Sequence, residues 1–253
     1  MSVDMYEYRF RQELNKVARF QPNDTRDPRV WPRPGSTEAE FPAWRALFTA
    51  MLLHRHSTGY RLFPYEEFYT FCKFAFTRQH PNPERFTRFF EGDLRIGMRQ
   101  RVGAWYESGM AETYLYVCLV EALEDRTKLG VVQYDARVDW KLKADIMIYM
   151  RGGHMFRVNA HVGPSAERPH IEERRDEIER MRKRNTAESA HWGNQALAEM
   201  QTLEISITPE EMQTINGCRV FSIAAINKLL HQVYYHAEVL AGQHRFFPMP
   251  RGR

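Results

Sequence analysis

Residues 130–163, GVVQYDARVDWKLKADIMIYMRGGHMFRVNAHVG, decide how this chain folds. Val131–Arg137, Ala144–Met150 and His154–Val162 read as three strands. Arg151-Gly152-Gly153 separates the second from the third and predicts a tight turn, because glycine accepts the backbone angles a reversal needs. Period-two alternation sets Arg157, Asn159 and His161 on one face of the third strand, and Asp145 enters the second.

Working outward, Trp105–Leu129 predicts a long helix whose apolar stripe is Leu115, Cys118, Leu119, Ala122 and Leu123. Glu112 falls near the edge of that stripe, and Glu121 projects away from it toward solvent. Gly130 is expected to cap the helix. Downstream, His170–Ala190 reads as a charged helix, acidic first and basic last, in keeping with the helix dipole. Thr202–Ile207 alternates as a strand. Thr208-Pro209-Glu210-Glu211 carries the cap, proline and acids of a new helix running to Asn216-Gly217. Cys218–Phe221 reads as a short strand and Ser222–Leu240 as an amphipathic helix.

Upstream, residues 1–20 place Tyr6, Phe10, Leu14, Val17 and Phe20 at helical steps. Residues 21–42 are rich in proline and read as a loop or linker. Helices are expected at Ala43–His56, at Pro64–Arg78 and, shorter, after Pro83. Phe63, Tyr65, Phe68, Tyr69, Phe71, Phe74 and Phe76 read as core at helical spacing, with base-stacking platforms as the other reading. The expected division is a mainly helical, aromatic-rich region over residues 1–100 and an α/β core over 101–253.

The chain has 253 residues, enough for an ample core. Cys72, Cys118 and Cys218 lie far apart without metal or disulfide spacing, so buried, reduced thiols and a cytoplasmic location are expected. The N-terminus lacks a signal-peptide core and no apolar run is long enough to span a membrane, so no membrane partner is expected. A net charge of +4 permits attraction to phosphates. Basic clusters at Arg95, Arg99 and Arg101, and at Arg180, Arg182, Lys183 and Arg184, could track a nucleic-acid backbone; the second also reads as a solvated, charge-balanced helix face. The phosphate-loop, dinucleotide and nucleophile-elbow motifs are absent from the sequence. His154, His161 and His170 lack the closer spacing of helix-borne catalytic zinc ligands.

The order helix, strand, strand, strand, helix, strand over residues 105–207, with an acid entering the second strand, resembles the PD-(D/E)XK nuclease-like superfamily. The resemblance covers about two-fifths of the chain and implies an α/β (α+β) fold, a helical N-terminal part packed on a mixed β-sheet flanked by helices. It implies a nucleic-acid-acting protein using Mg²⁺ or Mn²⁺ to hydrolyse DNA or RNA. Asp145 matches the motif acid and Glu112 the helix acid, both as metal ligands. The Glu-x-Lys pair of the family falls on Asn159-Ala160-His161, a degenerate or atypical motif. Lys143 could supply the ammonium from two residues before Asp145, His161 could act as ligand or general base, and Arg157 could hold the backbone. Other readings stand beside this one. Asp145 could be a strand-end acid in a turn or salt bridge, and Lys141 and Lys143 solvated edge lysines. The whole could be a silent scaffold that binds nucleic acid or a protein partner without metal, or an oligomerising component.

Overall fold

The computed structural model describes residues 5–16, 62–134, 145–162, 201–207 and 211–240. The expected linker at 21–42 and the helices expected at 43–56 and 170–190 lie outside the described residues, as do Lys141, Lys143, Arg180, Arg182, Lys183 and Arg184. The fold mixes helix and sheet. Helix α1 spans Met5–Lys16, α2 Tyr65–Phe74, α3 Glu84–Phe90 and α4 Arg95–Val120. Strands β1 (Gly130–Gln133), β2 (Ile146–Met150), β3 (Met155–Val162) and β4 (Gln201–Ile207) follow, then β5 (Met212–Ile215), β6 (Cys218–Phe221) and α5 (Ile223–Leu240).

The chain divides into two compact units, and the division falls inside α4, between Thr113 and Tyr114. One unit holds α1 from Tyr8, α2, α3, α4 up to Thr113, and Thr214–Arg219. The other holds α4 from Tyr114, β1 to β4 and α5.

In the first unit, aromatic residues at helical spacing fill the core. The amides of Glu67 and Phe68 donate to the carbonyl of Pro64, which starts α2. Phe63, Phe68, Phe86, Phe90 and Tyr106 are buried; Tyr65 meets Tyr106 edge to face at 5.7 Å, and Phe76 meets Phe86 at 4.8 Å. The Tyr106 hydroxyl donates to the Phe63 carbonyl at 2.6 Å, so the buried ring keeps its polar end satisfied. Burial pushes that phenol far above its ordinary pKa.

The second unit is built on a four-stranded sheet in the order β1-β2-β3-β4. β1 and β3 run antiparallel to β2, whereas β4 runs parallel to β3. One face is apolar: Val132 pairs with Ile148, Ile148 with Phe156, and Ile146 with Val158, all buried. Leu115, Leu119 and Leu123 of the α4 side, and Ile226, Leu229 and Val233 of α5, are buried as well, and α5 lies against β4. Cys72, Cys118 and Cys218 are buried free thiols, as their surroundings predicted.

Four boundaries depart from the sequence reading. α4 begins at Arg95, ten residues before the expected start, and ends in a wider π-helical turn over Glu121–Arg126. Glu121 is not solvated but 4% exposed, and its carboxylate accepts from Arg126 at 2.7 Å. Widening of the last turn changes the angular step per residue, which invalidates the projection that sent Glu121 outward. Gly130 does not cap the helix. Lys128 takes the left-handed conformation there, and Gly130 opens β1, where a Cβ would sit 3.0 Å from the Tyr149 carbonyl oxygen. Its lack of a side chain serves the close approach of β2.

The fourth departure is β5, a strand where a helix was expected. Asn216 and Gly217 both have positive φ, at 45° and 72°, the pattern of a type I′ turn that joins two antiparallel strands. Gln213 Nε2 donates to the carbonyl of Phe221 at 3.1 Å and to the hydroxyl of Tyr114 at 3.2 Å, holding the β5 end across the hairpin. Gly217→Ala is expected to cost about 1–2 kcal/mol, since a side chain is strained at that φ. Phe156→Ala, which removes a fully buried ring, is expected to cost about 3–5 kcal/mol. Urea unfolding midpoints of both variants test the ranking.

Candidate functional site

The apolar face of the sheet determines where its polar residues can go. Phe156 and Val158 are fully buried, so alternation puts residues 157, 159 and 161 on the opposite face. That second face is graded along the strands. Its first row is Val131, Tyr149 and Met155; the next is Gln133, Met147, Arg157 and Thr202. Beyond it, Asn159 pairs with Glu204 and His161 with Ser206.

Asp145 is half-buried at the bend preceding β2, and its amide donates to the carbonyl of Val158 at 3.0 Å. That bond is one residue out of step with the Ile146–Val158 pair, so the regular ladder stops at Ile146 and does not set Asp145 across from Asn159. Of the residues singled out in the sequence, Arg157, Asn159 and His161 take alternate positions of β3. Arg157 is 8% exposed, one row from Asn159, so its positive charge acts on its neighbours rather than in bulk solvent.

Glu204 was missed by the sequence reading. Its strand was legible, but its partner lies 45 positions away in a parallel pairing, which no local pattern encodes. Among the described residues, no three His, Cys, Asp or Glu side chains form a metal-holding group.

Glu112, the other expected metal ligand, belongs to the first unit and is 6% exposed in α4. Its carboxylate accepts from the Ser108 hydroxyl at 3.4 Å. Arg95, Arg99 and Arg101 lie in the opening turns of α4 rather than before it. Arg95 is exposed, and Arg99 pairs with Glu66 while its guanidinium lies 4.5 Å from the Tyr69 ring centroid and 5.5 Å from that of Tyr65. Burial raises the Tyr69 phenol, and Arg99 and Arg95 oppose that shift. Arg101 is 5% exposed and covers Trp105 at 5.0 Å, so a phosphate in solvent would meet Arg95 and Arg99 first.

Comparison with known proteins gives no family model, no curated protein and no solved structure that matches the chain. Among the described residues no helix is long and apolar enough to cross a membrane.

Glu107 of α4 is half-buried. Burial raises its carboxyl above the ordinary range, and Arg219 partly opposes this. The native carboxyl thus keeps its proton to higher pH than the unfolded one, so this residue's contribution to stability declines as pH rises through that window. Glu107→Gln is expected to raise the urea midpoint at pH 7, and the gain should vanish below about pH 4, where both states are protonated.

Proposed function

We propose that this chain acts on nucleic acid through a PD-(D/E)XK-like sheet, with phosphodiester hydrolysis as the reaction. The observation that carries this reading is the strand order β1-β2-β3-β4, with β3 and β4 parallel after an antiparallel run and the long helix α4 before it. Asp145, the acid matched to the motif, precedes β2 with its amide tied to the Val158 carbonyl.

In this reading Asp145 would hold a divalent cation, with Asn159 offering a neutral oxygen as the motif comparison implies. A bound Mg²⁺ or Mn²⁺ would polarise a phosphodiester oxygen and ease deprotonation of water. His161, two positions along the same strand, takes a proton or serves as a ligand, and Lys143 counters phosphate charge. Arg157 supplies positive potential from the buried row behind them, while Arg95 and Arg99 offer exposed charge to a nucleic-acid backbone.

Asp145→Asn is expected to abolish Mn²⁺-dependent cleavage of end-labelled DNA or RNA by the purified chain, with far-UV circular dichroism unchanged. Cleavage undiminished in that variant overturns the assignment of Asp145. Salt-sensitive binding without cleavage by the parent chain instead supports a silent scaffold, the reading favoured by a neutral residue at 159.

A further inference from the structure

Resting on the reading above for the source of its ligand, we infer that the Tyr69 hydroxyl and the guanidiniums of Arg95 and Arg99 form a binding site for a phosphate oxyanion between α2 and the start of α4. All three residues belong to the first unit. Tyr65, Tyr69 and Tyr106 are buried there on α2 and α4. The Tyr65 hydroxyl donates to the Arg99 carbonyl at 2.5 Å, and the Tyr106 hydroxyl to that of Phe63. The hydroxyl of Tyr69, a residue 5% exposed, has no hydrogen-bond partner among the described residues. A buried hydroxyl without an acceptor carries an uncompensated desolvation cost, which a ligand oxygen removes.

The surroundings of that hydroxyl select the charge of the ligand. The Arg99 guanidinium lies 4.5 Å from the Tyr69 ring centroid, and the charges of Arg99 and Arg95, one turn apart on α4, both reach the phenol. Burial outweighs them and raises the phenol above its ordinary value, so at neutral pH it is a donor. The neighbouring acids are already matched: Glu66 pairs with Arg99, Glu91 with Lys73 at 3.0 Å and Asp93 with Arg88 at 3.9 Å. Arg95 is exposed and has no ion pair among the described residues, so its charge is the one left unbalanced in this group. α4 begins at that residue and adds the positive end of a 26-residue helix. A hydroxyl donor without an acceptor, an unbalanced guanidinium and a helix N-terminus all favour an oxyanion. The hydroxyl itself is enclosed, and the Arg99 guanidinium on its ring is the cover that moves. Arg99 and Glu66 are 36% and 67% exposed, and so open an ion pair contributes little, so the guanidinium turns from Glu66 to the ligand at small cost.

The test is protection of the full chain against urea by inorganic phosphate at constant ionic strength, alongside fluorescence anisotropy of a labelled single-stranded oligonucleotide. The parent midpoint is expected to rise with phosphate. Tyr69→Phe keeps the ring and removes only the hydroxyl. It is expected to match or exceed the parent midpoint without phosphate and to weaken phosphate at least about tenfold; a merely structural hydroxyl gives the opposite pattern. Should Tyr69→Phe not fold, Arg95→Gln, at an exposed position, is expected to weaken phosphate in the same direction. Oligonucleotide affinity that falls in step with phosphate supports the site and assigns it to the nucleic-acid backbone. Loss of phosphate protection in the variants of a parent that binds no oligonucleotide supports the site, with a small phosphorylated ligand, and removes the nucleic-acid reading. Phosphate protection that is parent-like in the folded variants, or absent from the parent, overturns the inference and leaves the nuclease reading to the Asp145 variant.

Discussion

The alternation of side chains in β2 and β3 is the constraint on which the rest of the second unit depends. Ile146, Ile148, Phe156 and Val158 are buried on one face, and a slip of one residue in either strand would move that whole set to the other side. The register is therefore held by apolar burial, not by the polar residues it carries. Arg157, Asn159 and His161 occupy their positions in β3 because the alternate positions are required for the core.

The edge of the same sheet shows a second use of the helix that precedes it. Among the described residues β1 pairs on one side only, with β2. The amide of Val132 donates to the carboxylate of Glu124 at 2.6 Å, and the Tyr116 hydroxyl approaches the Val132 carbonyl at 3.4 Å. A backbone donor at an edge would otherwise be open to pairing with another chain. The π-helical turn that contains Glu124 also contains Glu121 with its Arg126 partner. The widened end of α4 thus brings two acids to different tasks within four residues, one at the strand edge and one in a part-buried ion pair.

Much of this was legible in the sequence, and the misses share a physical origin. The Arg151-Gly152-Gly153 turn and the alternation around it located β2 and β3 to within two residues, because local periodicity and turn chemistry point the same way there. Segment 212–215 was misread because a proline and two acids form a plausible helix start, whereas the Asn216-Gly217 pair is a hairpin signal with φ positive at both residues. Glu121 was misread because the projection assumed an unbroken α-helix. For the candidate site, the residues at the start of β2 and on β3 could be chosen from sequence since they are joined by one short turn. The pairing of β4 with β3 could not, because parallel pairing is a tertiary property fixed by the packing of the whole sheet.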